Sequence, residues 1–219
     1  MDSASLIVNE KFLSIQGEST HAGRLCYFIR LAGCNLSCAY CDTLYAQDVA
    51  SGQPETVASL LAAVRDSGCR LAEITGGEPL TSAACPELCA ALINDGFEVL
   101  VETNGSLDVS VLPEKVIKIV DCKTPSSGEA GKMLAENYTR LSERDEIKFV
   151  IADRNDYEYS LEVINRHQLD QWGGTLIFST AWGALDPQTL AEWMVADRAP
   201  ARLQLQMHKY IWGSEKKGV

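Results

Sequence analysis

The chain has 219 residues, of which 46% are hydrophobic and 22% charged, as in an ordinary globular protein with a full core. Its formal net charge of −11 argues against direct binding to nucleic acid, because an acidic surface repels the phosphate backbone. The apolar run 6–8 is too short for a signal peptide, and no run is long enough to cross a bilayer. We therefore expect one cytoplasmic domain over residues 1–219 that binds neither nucleic acid nor a membrane.

Short β-rich apolar runs alternate with helical stretches along most of the chain. The runs are typical of buried parallel strands and cover 25–31, 71–75, 97–102, 116–121, 146–151 and 175–179. Helical patterns cover 55–67, 85–95, 157–167 and 187–196. This alternation predicts an α/β fold built from βα units, whose functional loops follow the carboxyl ends of the strands.

Three cysteines stand at Cys-x3-Cys-x2-Cys spacing directly after the first run. Cys34, Cys38 and Cys41 lie in the stretch AGCNLSCAYCDT, where three thiolates can hold three corners of a cubane iron–sulfur cluster. The fourth iron would then be open to a small molecule, which favours catalysis over electron relay. A structural zinc site is the alternative, although no fourth ligand stands at finger-like spacing unless Cys26 or His21 contributes.

Polar loops follow three more of the predicted strands. TGGEP at 75–79, ETNGS at 102–106 and DCKTPSSG at 121–128 end the second, third and fourth runs. The two glycines of TGGEP let backbone approach a ligand closely, although Gly-Gly before Pro is just as typical of a plain turn. We expect these loops and the cysteine loop to converge, because the carboxyl ends of parallel strands lie on one side.

Arg30 lies within the first apolar run, four residues before Cys34. A guanidinium in such a run is costly unless an anion pairs with it. The partner is either an anionic ligand or an internal acid of this chain, and the sequence leaves both open.

The cysteine motif, with Tyr40 before its last cysteine and a GGE segment downstream, resembles that of the radical S-adenosylmethionine superfamily. Within it, the segments FLSIQGEST, FIRLAGCNLSCAYCDT, ITGGEP, VETNGSL and QMHKY resemble, in order, those of the 7-carboxy-7-deazaguanine synthase family, and they span 12–210. The resemblance implies a partial (β/α)6 barrel that forms a homodimer. It implies three cofactors, namely a [4Fe-4S] cluster, S-adenosyl-L-methionine and Mg2+, and an electron donor such as a flavodoxin or ferredoxin.

The activity that the resemblance implies is that of a carbon–nitrogen lyase of 7-deazapurine (queuosine-type) biosynthesis. Radical chemistry would contract 6-carboxy-5,6,7,8-tetrahydropterin to 7-carboxy-7-deazaguanine with loss of ammonia. Two alternatives stay open. A glycyl-radical enzyme activase shares the cysteine loop and the GGE segment, although Gln16-Gly17-Glu18, Thr43 and the His208 segment favour the pterin enzyme. The non-enzyme alternative is a zinc-stabilised binding protein.

The resemblance also implies roles for individual residues. The pterin substrate would contact Ile15, Gln16, Gly17, Glu18, Arg30, Thr75 and His208. S-adenosylmethionine would contact Tyr40, Gly77, Glu102, Asp121, Lys123 and Ser179. The metal ligands would be Cys34, Cys38 and Cys41 for the cluster and Thr43 for Mg2+. Without the resemblance, Thr43 is equally typical of a helix N-cap, and a lone histidine such as His208 is more typical of a structural group.

The chain departs from the family in two places. Asp121-Cys122-Lys123 stands where many members have Ser-Pro-Lys, so the local turn is expected to differ. The chain also continues as IWGSEKKGV beyond Tyr210, and the resemblance implies no role for that extension.

Overall fold

The computed structural model describes residues 4–219, so the domain predicted over 1–219 is described from its fourth residue. The strands are β1 (Ser5–Ile15), β2 (Leu25–Leu31), β3 (Gln53–Thr56), β4 (Leu71–Gly76), β5 (Glu98–Thr103), β6 (Ile117–Asp121), β7 (Glu146–Ile151), β8 (Thr175–Thr180) and β9 (Arg202–Gln204). The helices are α1 (Val57–Asp66), α2 (Cys85–Asn94), α3 (Arg154–Arg166), α4 (Pro187–Asp197) and α5 (Met207–Trp212). In the described part of the chain, no helix has the length and apolarity needed to span a bilayer.

All of these strands join one sheet in the order β3-β1-β2-β4-β5-β6-β7-β8-β9. From β2 to β9 every neighbouring pair is parallel, whereas β1 runs antiparallel to both β2 and β3. The six predicted strands are β2 and β4 to β8, and they are consecutive in space. The sheet ends at β3 and β9 within the described residues, which confirms the expected partial barrel.

Two prediction errors have a local physical reason. The strand β1 was not predicted, because its central Asn-Glu-Lys interrupts the apolar run, yet it pairs with β2 over most of its length. The first helix was predicted from residue 55 but begins at Val57, because Pro54 and Glu55 pair with β1 as part of β3. The Thr56 hydroxyl then accepts a hydrogen bond from the Ser59 amide as the N-cap.

The connections from β5 to β6 and from β6 to β7 contain short 3-10 turns and no α-helix. Both contain residues that favour turns close to their start, Asn104-Gly105 in the first and Thr124-Pro125 in the second. The helices α1 and α2 pack over the first half of the sheet, and α3 and α4 pack over the second half, so the apolar core lies between helices and strands. The opposite face of the sheet is left to form the site.

Candidate active site

A cavity of about 710 Å3, here called the barrel cavity, lies along one face of the sheet. Its lining alternates along the strands as a pleated sheet requires, with Glu73 and Thr75 from β4 and Lys148 and Val150 from β7. The four loops predicted to converge all contribute to it, together with residues 15–19 at the end of β1 and beyond it, and several residues from Gln206 onward. Its volume is typical of a small-molecule site.

The structure brings all but one of the assigned residues to the barrel cavity. Those that line it are Ile15, Gln16, Gly17, Glu18, Arg30, Cys34, Cys38, Tyr40, Cys41, Thr43, Thr75, Gly77, Glu102, Asp121, Lys123 and His208. Ser179 does not, because β8 continues to Thr180 and leaves Ser179 buried within the strand. From this part of the chain, Ala181 and Trp182 line the cavity instead.

The cysteine loop is held by backbone hydrogen bonds at its start. The Cys34 amide donates to the Gln47 carbonyl at 3.0 Å, and the Glu78 amide donates to the Gly33 carbonyl at 2.8 Å. The latter contact requires Gly77, because a Cβ there would lie 2.0 Å from the Gly33 oxygen. The GGE segment and the cysteine loop are thus packed backbone to backbone.

The three thiols face the barrel cavity with polar neighbours. Burial raises the pKa of Cys34 and of Cys38, and the nearby Lys123 partly offsets this at Cys38. The Cys34 sulfur accepts from the Leu36 amide at 3.5 Å and from the Asn104 side-chain amide at 3.8 Å. Among residues 4–219, no three His, Cys, Asp or Glu side chains are grouped as the ligands of one metal ion.

Thr43 occupies the first position of a short 3-10 turn, but its hydroxyl does not cap that turn. The hydroxyl lies 3.6 Å from the Cys41 sulfur. The backbone of Thr43 therefore takes the N-cap position, whereas its side-chain hydroxyl makes no capping hydrogen bond and is available to a ligand. Tyr40, by contrast, is tied to the protein, because its hydroxyl lies 2.9 Å from the Thr124 hydroxyl and donates to the Val150 carbonyl at 3.2 Å.

Arg30 has an internal acidic partner and also lines the barrel cavity. Its Nε donates to Glu10 Oε1 at 2.8 Å, and the Tyr45 hydroxyl donates to the same oxygen at 2.9 Å. Among the described residues, the two terminal guanidinium nitrogens have no hydrogen-bond partner. The structure thus allows Arg30 to pair with an internal acid and with an anionic ligand. The ion pair with Glu10 uses one edge of the planar guanidinium and leaves the other edge for an anion.

Residues 16–18 form a wall fixed by the end of the chain. The Gln16 amide nitrogen donates to the Glu73 carboxyl, and its oxygen accepts from the Glu18 backbone at 2.9 Å. Gln206 donates to Glu18 Oε1 at 3.0 Å, and the Met207 amide donates to the Gly17 carbonyl at 3.0 Å. This wall consequently joins residues separated by almost the full length of the described chain.

Gly17 and His208 are in close contact. A Cβ on residue 17 would lie 2.3 Å from His208 Nδ1 and 3.0 Å from the His208 backbone nitrogen. Burial lowers the pKa of His208, although Glu18 opposes that shift, so the imidazole is neutral at pH 7.

Two charged residues that line the barrel cavity from inside the strands were missed by the sequence reasoning. Glu73 and Lys148 lie inside β4 and β7, and both are almost fully buried. The signal that singled out Arg30, a charge within an apolar run, is present at both positions. Applying it to every predicted strand would have found them.

Comparison with known proteins identifies the family. The family model for the radical SAM superfamily matches residues 28–168. A 7-carboxy-7-deazaguanine synthase from Chlorobaculum tepidum is 42% identical over 99% of this chain and 98% of that protein. One from Koribacter versatilis is 40% identical over 97% of this chain and 99% of that protein. The chain belongs to the 7-carboxy-7-deazaguanine synthase family. This membership favours the synthase over the two alternatives that the cysteine spacing left open, a glycyl-radical enzyme activase and a zinc-stabilised binding protein.

A solved structure agrees with this assignment. The crystal structure of QueE from Escherichia coli matches with a TM-score of 0.77 and 25% identity, covering 93% of this chain and 95% of that one. The partial barrel expected for a radical SAM member of the 7-carboxy-7-deazaguanine synthase family is therefore present here.

Residues of this synthase-family chain fit an iron–sulfur cluster and S-adenosylmethionine. Three thiols on one loop, two N–H donors to Cys34 and a lysine beside Cys38 suit an anionic cluster. Asp121 Oδ1 is buried without a hydrogen-bond partner among the described residues, while its Oδ2 accepts from Lys123 at 2.8 Å. An orphaned acceptor in the cavity suits a ligand with hydroxyl or ammonium donors.

Proposed function

We propose that this chain is a 7-carboxy-7-deazaguanine synthase, a carbon–nitrogen lyase that contracts 6-carboxy-5,6,7,8-tetrahydropterin with loss of ammonia. The observation that carries the proposal is full-length identity of 40 and 42% to synthases, together with one cavity that joins the cysteine loop to the 16–18 wall. When bound, the cluster and S-adenosylmethionine supply the radical that starts the reaction.

The 16–18 wall would recognise the aminopyrimidinone edge of the pterin. Burial by itself would raise the pKa of Glu18, but the Lys148 ammonium and the hydrogen bond from Gln206 lower it, so the pKa lies below its usual range and the carboxylate is ionised. An ionised carboxylate accepts two hydrogen bonds, which suits neighbouring N–H donors on one ring edge. Neutral His208 would close this region from the side of Gly17.

Arg30 would hold the substrate carboxylate through the guanidinium edge that faces away from Glu10. Burial tends to lower the pKa of Arg30, but Tyr45 and Glu10 raise it overall, so the charge is retained. The Glu10 pair also fixes the plane of the guanidinium before any ligand binds, which reduces the entropy lost on binding.

S-adenosylmethionine would be held by groups on the cysteine side of the cavity. Gly77 allows backbone approach, and Asp121 offers an unused oxygen acceptor. Lys123 pairs with Asp121 and keeps that carboxylate in place. Glu102 would contribute a further acceptor from the end of β5. The contribution assigned to Ser179 would come instead from the residues after it, Ala181 and Trp182.

The hydroxyl of Thr43 would be the protein ligand of Mg2+. An oxygen ligand suits this hard cation, which usually keeps several waters and takes further oxygens from its substrate. Support for the assignment comes from the hydroxyl, which makes no capping hydrogen bond, and from the place of Thr43 two residues after Cys41. The substrate carboxylate held by Arg30 would then lie within reach of the same ion.

We further propose that the enzyme works as a cytoplasmic homodimer and receives electrons from a flavodoxin or ferredoxin. The edge strand β9 and the adjoining α5 carry large apolar side chains that are partly exposed, namely Leu203, Leu205, Met207, Tyr210, Ile211 and Trp212. An unpaired edge with such residues suits contact with a second copy. Sedimentation of the wild type and of Leu203→Glu would test this, because a dimer through this edge should dissociate in the variant.

The decisive experiment is an anaerobic assay. Protein reconstituted with iron and sulfide is incubated with the carboxytetrahydropterin, S-adenosylmethionine, Mg2+ and a reductant, and the product is detected by mass. We expect the deazapurine acid and ammonia from the wild type and neither from Cys38→Ala, which lacks a cluster ligand. Absence of product from wild-type protein with an intact cluster spectrum would refute the proposed function.

A further inference from the structure

Lys148 joins two carboxylates in the wall of the barrel cavity. Its ammonium lies 3.0 Å from Glu18 Oε2 and also contacts Glu102 Oε1. The lysine side chain is only 5% exposed, and it reaches the cavity from the middle of β7. A buried ammonium between two carboxylates is costly to assemble, so its placement requires an explanation.

The two carboxylates belong to different parts of the proposed site. Glu18 lies in the wall assigned to the pterin, where its other oxygen accepts from Gln206. Glu102 lies at the end of β5, where its other oxygen accepts from the Thr75 hydroxyl at 3.4 Å. Lys148 is therefore the shared cation of the substrate and cofactor sides of the cavity.

The charges around this pair come from several elements. They are Arg30 from β2, Asp42 from the cysteine loop, Glu73 from β4, Asp121 and Lys123 at the end of β6, and His208 and Lys209 from α5. Arg30 is paired with Glu10, Lys123 with Asp121 and Lys209 with Asp42. Lys148 is consequently the only ammonium or guanidinium in an ion pair with Glu18 or Glu102 among the described residues.

Glu73 is a third carboxyl beside the same pair. Burial first, and then the Glu102 charge, raise its pKa well above the usual range, which favours the protonated form of Glu73. Burial would lower the pKa of Lys148, but Glu102 and Glu18 raise it overall, so the ammonium stays charged. One buried cation thus contacts two carboxylates, and a third carboxyl group lies beside them.

We propose that Lys148 is a positioning residue that keeps the Glu18 carboxylate ionised and aimed at the pterin, while anchoring Glu102 on the cofactor side. This inference rests on the proposed function for the identity of the ligand. Lys148 touches neither ligand in this account and acts through the two carboxylates. Without it, Glu18 and Glu102 would share a buried wall with no direct cation, and one of them would take up a proton near neutral pH.

The test measures binding directly, without turnover. Reconstituted protein is dialysed anaerobically against the carboxytetrahydropterin in the absence of reductant, and bound pterin is measured by mass between pH 6 and pH 8. The variants are Lys148→Met and Lys148→Arg. Lys118→Met is the matched control, because Lys118 is an equally buried lysine on the adjacent β6, is paired with Asp145 and does not line the cavity.

Lys148→Met should weaken pterin binding by about tenfold to a hundredfold, since removing one partner leaves buried charge uncompensated. The loss of affinity should be larger at pH 6 than at pH 8. Without Lys148 the pKa of Glu18 rises, so the ionised carboxylate that binds the pterin is lost first at low pH. Lys148→Arg should retain the pH profile of the wild type, because it retains the charge. Lys118→Met should match the wild type in both affinity and pH profile.

Two results with the single variants would overturn the inference. One is pterin binding by Lys148→Met within twofold of the wild type at every pH. The other is an equal loss in Lys148→Met and Lys118→Met that does not vary with pH, which would make Lys148 a purely structural residue. If Lys148→Met fails to fold, the double variant Glu102→Gln/Lys148→Gln removes both charges together and should still show the steeper pH profile; a flat profile there overturns the inference.

The proposed function is tested separately by wild-type turnover. If the wild type forms no deazapurine and binds no pterin, the proposed function fails. If the wild type forms product while the Lys148 variants bind like the wild type, only the role of Lys148 fails.

Discussion

Replacing Gly77 by alanine should displace the cysteine loop without disturbing the rest of the sheet. The new Cβ would lie 2.0 Å from the Gly33 oxygen, 2.4 Å from the Gly33 carbonyl carbon and 2.9 Å from the Cys34 nitrogen. Non-bonded contacts of carbon are optimal at about 3.5 to 4.0 Å, so the two backbones must separate by about 1 Å or more. All three contacts are backbone atoms, so no side-chain rotation relieves the overlap.

The size of the effect follows from that displacement. A misplacement of about 1 Å in a site can cost about a hundredfold in rate, and here the moved residue precedes Cys34, the first of the proposed cluster ligands. We therefore expect kcat/KM of Gly77→Ala to fall about a hundredfold, accompanied by lower iron content per chain. The hydrogen bond from the Glu78 amide to the Gly33 carbonyl should also be lost.

The assay compares product formation, iron content and thermal unfolding of Gly77→Ala with those of Gly131→Ala. A Cβ on residue 131 would meet no atom within 4 Å, so that variant controls for the substitution itself. We expect Gly131→Ala to behave as the wild type, and the far-ultraviolet circular dichroism of both variants to match it. Wild-type kcat/KM and full iron content in Gly77→Ala would refute the close approach described above.

Three further predictions concern single side chains. Thr43→Ala should lower Mg2+-dependent turnover and leave the cluster absorption spectrum unchanged, because its hydroxyl is assigned to Mg2+ and not to iron; loss of the spectrum would contradict that assignment. Arg30→Lys should raise KM for the pterin about tenfold with little change in kcat, since the charge stays but the planar fork is lost; a fall in kcat at unchanged KM, from steady-state kinetics, would argue against carboxylate binding. The pKa of His208 lies below its unfolded value, so the unfolded chain binds the proton first and stability should fall as pH drops below about 6.5. Urea unfolding should show that the free energy of unfolding falls less between pH 7.5 and pH 5.5 in His208→Gln than in the wild type. An equal fall in both would refute the lowered pKa of His208.

The parallel part of the fold was predictable because its strands are covered on both faces. The strands β2 and β7 have the bounds that their apolar runs predicted, and the helix α2 differs by one residue at its end. A strand buried on both faces produces a continuous apolar run, which a single sequence reveals. The strands β1, β3 and β9 are partly exposed and produce no such run, so they were missed.

The site residues were predictable where they belong to a local sequence motif. They were less predictable where contacts between distant parts of the chain bring them together. The cysteine loop and the GGE segment are local patterns, and the structure places both beside one cavity. The pairing of Lys148 with Glu18 depends on a contact across 130 residues, which no local pattern encodes. The partner of Arg30 was left open for the same reason, because Glu10 lies on a neighbouring strand that the sequence did not reveal.

The wall at residues 16–18 has a consequence for how the protein is made. Glu18 in this wall and the adjoining Ser19 form hydrogen bonds with Gln206 and Gln204, which lie 188 and 185 residues further along the chain. Contacts of such high sequence separation carry the largest loop-closure cost and form late in folding. During synthesis, residues 16–18, the cysteine loop and most of the sheet can emerge from the ribosome well before the residues near 204–207 that hold the wall in place. The proposed pterin region is therefore expected to be the last part to mature, and a ribosome-stalled chain lacking residues beyond 200 would have every cysteine of the Cys-x3-Cys-x2-Cys motif but would lack the hydrogen bonds that fix residues 16–18.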